Sequence, residues 1–226
     1  MKAMILAAGK GERMRPLTTH TPKPLLKIAG KPLIQYHIEK LVAAGITDII
    51  INIAWLADLI PQQLGDGSKF GCRLHYSREE VGALETAGGI KQALDLLGNE
   101  AFLIVNGDVW TDLNFKILPN TLMPNTMAHL VLVNNPAHHP QGDFGIAGDY
   151  LNLENSQKWT YSGIGIYSPE LFLNVKKLPA PLGPLLKQAI GQQQVTGQIY
   201  QGIWSDIGTP ERLAQMEQAL TENSLG

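Results

Sequence analysis

Ala3-Met4-Ile5-Leu6-Ala7-Ala8-Gly9-Lys10-Gly11-Glu12-Arg13 is the stretch from which the fold is read. It opens as an unbroken apolar run of strand length and continues as a loop of small residues that ends in charge. A strand with one wet face alternates apolar and polar residues; this one does not, so layers are expected on both of its faces. The run is shorter than the roughly 7–15 apolar residues of a secretory h-region and is broken at once by Gly9 and Lys10. It reads as a first strand and not as an export signal.

Similar segments recur downstream. Residues 48–53 and 102–105 are strand-like and 73–77 is a further candidate, while 32–44, 56–64 and 87–97 carry apolar residues near helical spacing. Gly45 and Gly98 stand where helices stop, and Gly65-Asp66-Gly67 makes a turn. Strand and helix in alternation predict a mostly parallel sheet with helices on both faces. The second half changes character. Segments 130–133, 144–147, 150–153 and 160–167 read as strands, the last three antiparallel, with Gly148-Asp149 as a hairpin turn. Segment 184–190 reads as a helix and 199–205 as a strand with Asp206 after it. Thr209 is suited to cap a last helix, with Pro210 in its first position, ending near residue 221. The expectation is an α/β, Rossmann-like fold: a mostly parallel but mixed sheet, helices on both faces, and a small antiparallel lid. A single domain spans 1–226.

Composition narrows the function classes. The chain has 226 residues, 44% hydrophobic and 17% charged, which suits a packed domain and not a disordered one. A net charge of −2 offers no basic surplus for nucleic acid or an acidic membrane. Cys72 is the sole cysteine, so no internal disulfide forms, which fits a reducing compartment. No apolar run approaches the ~20 residues that span a bilayer. A cytoplasmic protein is expected.

In open α/β sheets ligands collect where strands end and helices begin. Three polar clusters fall at such ends: 7–23, 106–112 and 204–206. In the first, Gly9 and Gly11 let backbone N–H groups approach an anion. The loop lacks the Gly-Lys-Ser/Thr of a P-loop, and Met14 replaces the third glycine of a dinucleotide fingerprint. Arg13 and Lys23 supply the mobile positive charge that a polyphosphate needs, and Pro22 and Pro24 stiffen the backbone about Lys23. Asp108 and Asp206 each sit at a strand end, and two such carboxylates suit Mg²⁺, which fills its octahedron with water and phosphate oxygens. Asp112 suits a supporting role or a helix cap. His129, His138 and His139 match no zinc spacing and are assigned structural or loop roles.

The run 6–18, then Pro22-Lys23-Pro24-Leu25, Glu85-Thr86-Ala87-Gly88-Gly89, Asn106-Gly107-Asp108 and Trp204-Ser205-Asp206-Ile207-Gly208-Thr209-Pro210 resembles the signature of the sugar-1-phosphate nucleotidylyltransferases. The likeness covers almost the whole chain in order. It implies transfer of a nucleotidyl group from an NTP to a sugar 1-phosphate, with 1–133 mainly nucleotide-binding and 134–200 mainly sugar-binding. Runs 53–56, 64–68, 105–112 and 138–144 most resemble the branch that uridylylates N-acetylmuramic acid 1-phosphate in cell-wall sugar recycling.

The resemblance implies UTP and a sugar 1-phosphate as partners, with Mg²⁺ on Asp108 and Asp206. It implies nucleotide contacts from Ala8, Gly9, Gly11, Glu12, Arg13, Lys23, Glu85 and Gly88, and chemistry at Arg13, Lys23 and Asp108. Asn106, Asp143 and Gly145 are the sugar-binding candidates. Relatives commonly carry glycine where Glu85 stands, and many carry a Glu-Lys-Pro run whose lysine meets the sugar phosphate; no such run occurs here. Lys158 lies nearby without matching that motif. Transfer to glucose, mannose or N-acetylglucosamine 1-phosphate is the alternative in the same chemistry. A nucleotide-binding regulator without turnover is the alternative in another class, as is a helix-rich interaction module. The short last helix favours a monomer.

Overall fold

The computed structural model describes residues 1–82 and 84–223. Its elements are β1 (Ala3–Leu6), β2 (Lys27–Ile28), β3 (Lys31–Pro32), α1 (Leu33–Ala43), β4 (Asp48–Ile53), α2 (Leu59–Leu64), β5 (Arg73–Arg78), α3 (Glu85–Gln92) and α4 (Leu94–Leu97). They continue with β6 (Phe102–Asn106), β7 (Val109–Thr111), β8 (Ala128–Val133), β9 (Gly145–Ala147), β10 (Tyr150–Asn152) and β11 (Thr160–Tyr167). The chain closes with α5 (Glu170–Leu173), α6 (Leu182–Gly191), β12 (Val195–Tyr200), β13 (Trp204–Asp206) and α7 (Pro210–Asn223).

Nine strands form one mixed sheet in the order β5-β4-β1-β6-β11-β8-β12-β10-β9. β1 runs parallel to both β4 and β6, so Leu6 stands between Asn52 and Asn106 at the carboxyl edge. The unbroken apolar run of β1 is explained by its two faces. Ile5 packs with Ile49, Ile51 and Val105 against Ile34, Ile38 and Leu41 of α1. Met4 packs with Ile50 and Ile104 against Ala87 and Ile90 of α3 and Leu186 of α6. A third cluster, Met14, Ile28, Leu33, Trp110, Ile207 and Met216, ties the glycine loop to β7, β13 and α7.

Four features depart from the sequence reading. Segment 160–167 belongs to no lid: β11 lies inside the sheet, antiparallel to β6 and β8, and only the β9–β10 hairpin forms the far edge. Segment 87–97 divides at Ala93 into α3 and α4. Segment 199–205 divides too. β12 pairs with β8, the chain turns at Gly202, and β13 leaves the main sheet to pair with β7. That turn is pinned because Tyr200 donates its hydroxyl to Asp112 Oδ1 at 2.6 Å, while the Ile203 carbonyl accepts from Asp112 N–H and Thr111 Oγ1. Asp206 is therefore the last residue of a strand and does not follow one. The fourth feature is β7 itself, which its three residues do not announce.

Candidate active site

The glycine loop leaves β1 and closes on itself. Gly11 has φ +63°, and its carbonyl accepts from Met14 N–H at 2.9 Å and from Thr18 Oγ1 at 2.7 Å. A Cβ at Gly11 would meet Thr18 Cγ2 at 2.9 Å, so the residue is glycine for both conformation and space. Met14, fully buried, anchors the single 3₁₀ turn Glu12–Met14 and leaves Arg13 exposed on its outer side. The other end is held by Asn52, whose Oδ1 accepts from Ala7 N–H at 2.8 Å while its Nδ2 donates to Glu79 Oε1 at 2.7 Å. Burial pushes the Glu79 carboxyl upward in pKa, and the Asn52 bond pulls it partly back.

Lys23 opens a second 3₁₀ turn, Lys23–Leu25, directly after Pro22, and is buried although charged. Its ammonium reaches Asp108 Oδ2 at 2.6 Å. Asp108 is brought there by Gly107, whose N–H donates to the Leu6 carbonyl at 2.9 Å. A Cβ on Gly107 would lie 2.7 Å from that same oxygen, so the β6 end can pass β1 this closely only without a side chain.

The β7–β13 ladder then sets the second carboxylate beside the first. Asp206 is the register partner of Val109, and Ile207 N–H donates to the Asp108 carbonyl at 2.7 Å. Arg212 Nη1 holds Asp206 Oδ2 at 2.5 Å. Asp206 Oδ1 is buried with no hydrogen-bond partner among the described residues, and His138 Nε2 lies 3.1 Å from it. An orphaned carboxylate oxygen next to a second carboxylate suits a hard divalent cation with few protein ligands. Among the described residues no group of three or more His, Cys, Asp or Glu is arranged for a metal, so a protein-only cage of the zinc type is not built here.

Two cavities meet at this point. The larger, 650 Å³, is lined by Ala8, Gly9, Gly11, Glu12, Arg13, Lys23, Asn52, Glu79, Glu85, Asn106, Asp108 and Gly208, among others. The smaller, 350 Å³, is lined by Asn106, Asp108, His138, His139, Asp143, Tyr161, Trp204 and Asp206, among others. Asn106 and Asp108 belong to both. Asn106 reaches the junction because β11 is bulged between Tyr161 and Gly165, where Gly163 adopts φ +78° with the Asn106 amide packed on its α-carbon.

Two predicted residues lie away from both linings. Gly88 donates its N–H to the Ala180 carbonyl and packs beneath Leu178, and Gly145 sits in β9 against Asn152 and Asn155. Asp143 lines the smaller cavity with its oxygens already engaged, accepting from Tyr161 N–H at 2.8 Å and facing His139 Nε2 at 3.0 Å. Sequence reasoning missed Asn52, Glu79 and Arg212; His138 and His139, given structural or loop roles, lie in a loop that lines the smaller cavity. Arg212 left one signal: a cation in the first turn of a helix opposes the macrodipole and calls for another reason to be there.

The sequence pattern of the family described as Nucleotidyl transferase matches residues 2–223. The chain belongs to this family. Within the nucleotidyl transferases it is similar to the N-acetylmuramate alpha-1-phosphate uridylyltransferase of Neisseria meningitidis serogroup B, 50% identical over 96% of this chain and 97% of that one. The protein of the same name from Caulobacter vibrioides is 33% identical over 97% of each chain. In three dimensions the fold matches a Bacillus anthracis protein described as a glucose-1-phosphate thymidylyltransferase, in a crystal structure with sucrose. That match has a TM-score of 0.83 at 22% identity, over 97% of this chain and 94% of that one, and it bears on the α/β fold alone.

Proposed function

We propose that this nucleotidyl transferase transfers UMP from UTP to N-acetylmuramic acid α-1-phosphate, releasing pyrophosphate and forming UDP-N-acetylmuramic acid. The observation that carries the reaction class is Asp108, ion-paired to Lys23 and shared by two cavities, one under the glycine loop and one beyond it. A reaction joining a nucleotide to a second phosphate needs such a junction. The full-length similarity to two uridylyltransferases of that substrate supports the choice of acceptor. On this reading the enzyme works in the cytoplasm, in peptidoglycan sugar recycling.

The chemistry asked of the side chains is electrostatic. The acceptor's phosphate is already an anion, so no general base is needed; the barrier lies in bringing two phosphates together and in charge growing on the departing pyrophosphate. The glycine-loop N–H groups receive the nucleotide phosphates, Arg13 faces the pyrophosphate, and Lys23 serves the α-phosphate and the acceptor. Backbone groups of Ala8 and Glu85 match the uracil edge. Asp108 and Asp206 would hold Mg²⁺, which supplies charge neutralisation and alignment when bound.

The test is a panel of sugar 1-phosphates with each NTP and Mg²⁺, read as pyrophosphate release from purified protein. Release with UTP and N-acetylmuramic acid 1-phosphate is expected. Release with hexose 1-phosphates alone would move the acceptor to glucose, mannose or N-acetylglucosamine. No release with any pair would leave a nucleotide-binding regulator.

A further inference from the structure

Among the described residues, the lining of the acceptor cavity carries Asp108, Asp143 and Asp206, two histidines, and neither lysine nor arginine. A phosphate monoester entering it would meet carboxylates at close range. Immediately behind the lining stands Arg212. Its Nη1 contacts Asp206 Oδ2 at 2.5 Å and His138 Nε2 at 2.8 Å, and its side chain is only 16% exposed. The fold makes room for it: a Cβ on Gly208 would run into the guanidinium and approach Asp206 Oδ2 at 3.3 Å. Gly208 lines the nucleotide cavity, while Asp206 and His138 line the acceptor cavity, so the guanidinium lies at the wall between them. Arg212 pays for this position, being in the first turn of α7 where the helix dipole disfavours a cation.

We propose that Arg212 is an exchange partner for Asp206. In the free protein it neutralises the carboxylate; when a divalent ion takes Asp206, the released guanidinium turns to the acceptor's phosphate. The inference rests on the reading of Asp206 as a ligand of that ion. Lys23 and Asp108 form the same kind of pair on the other side of the junction. A guanidinium is suited to the exchange because it stays charged and its fork matches carboxylate and phosphate oxygens alike. No bond is made or broken; only ion pairs are traded.

An exchange partner predicts effects of opposite sign, which a merely structural residue does not. With Mn²⁺ as an EPR-visible probe and no nucleotide or acceptor, Arg212→Gln should bind the ion about tenfold more tightly than wild type, the scale of removing one unit charge within a few ångströms at high dielectric. In an Asp206→Asn background the same substitution should change Mn²⁺ binding little, because the shared partner is gone. In turnover assays Arg212→Gln should raise KM for N-acetylmuramic acid 1-phosphate about 10–100-fold, as loss of a charged hydrogen bond implies, with KM for UTP within about twofold. Arg212→Lys should fall between, and thermal melting of each variant reports whether the fold survives. By calorimetry, binding of N-acetylglucosamine 1-phosphate should weaken in step, because it shares the phosphate and lacks the lactyl carboxylate. Weakening confined to N-acetylmuramic acid 1-phosphate would assign Arg212 to the carboxylate and overturn the proposal. Unchanged or weaker Mn²⁺ binding in Arg212→Gln, or KM values rising together, would also overturn it. Wild-type protein that releases no pyrophosphate with any acceptor would remove the proposed reaction, while the Mn²⁺ comparison would still decide the exchange.

Discussion

Lys23 Nζ stands 2.6 Å from Asp108 Oδ2, joining a residue of the glycine-loop region to one at the end of β6. The lysine is buried and the carboxylate is about one-third exposed, so the pair spans the floor of the cleft and its mouth. Asp108→Asn keeps the shape of the side chain and removes the charge. It should lose most turnover and keep the fold, melting below wild type because the buried Lys23 ammonium loses its counter-charge. Near-normal pyrophosphate release would overturn the proposal that Asp108 holds a divalent ion.

Arg13 lines the nucleotide cavity from the outer side of a single 3₁₀ turn whose anchor is Met14, so truncating it should disturb charge and not fold. Arg13→Ala should lower kcat by a factor on the order of 10²–10³, the usual cost of one donor to developing negative charge. A purely raised KM for UTP with kcat unchanged would make Arg13 a ground-state binder instead.

Gly107 passes the Leu6 carbonyl so closely that a methyl group would lie 2.7 Å from it. Gly107→Ala should cost about 1–3 kcal/mol in urea unfolding, as overpacking does, and should also reduce turnover because Asp108 moves with it. Unchanged stability with unchanged turnover would mean the strands separate freely here.

Glu85 opens α3 at φ +60°, a region that costs an L-residue about 1–2 kcal/mol and glycine almost nothing. Its side chain is exposed, which leaves little to compensate. Part of the gain from Glu85→Gly is returned as backbone entropy, so the variant should be more stable by about 0.5–1 kcal/mol. A lower urea midpoint would show that the glutamate side chain makes an offsetting contact.

His37 lies fully buried on α1 beneath β7, and burial lowers its pKa to about 4, with the Val109 backbone and the Asp108 carboxylate acting in the opposite direction. The folded state thus prefers the neutral ring, and the unfolded state binds the proton first as pH falls. The contribution of this group is complete above the ordinary histidine pKa near 6.5 and declines as pH drops toward 4, by on the order of 3 kcal/mol in all. His37→Leu should lack this pH dependence, so the stability of wild type relative to the variant should fall as pH drops over that range. A difference independent of pH would mean that the ring charges freely in the fold.

The apolar run of β1, the strand at 48–53, the strand at 160–167 and the capped start of α7 were legible because each is decided by local pattern: hydrophobic period, turn chemistry and a capping threonine. The glycine loop and the candidates Arg13, Lys23, Asp108 and Asp206 were legible for a similar reason, since strand ends announce where a ligand can sit. What local pattern could not tell was which edge a strand joins. Segment 160–167 reads as a strand whether it belongs to a lid or to the centre of the sheet, and only pairing with β6 and β8 placed it.

The same limit applied to the site. By itself the sequence determined that two acidic strand ends, a glycine loop and two cations exist, because those depend on neighbours a few residues away. Only the tertiary structure decided that Val109 and Asp206 share a register, that Lys23 and Arg212 each take one carboxylate, and that Asn52 ties Ala7 to Glu79. The reason is physical. Those contacts join residues 6 to 97 positions apart along the chain, and their energy exists only after the sheet, the bulge at Gly163 and the break at Gly202 have brought the partners within hydrogen-bonding range.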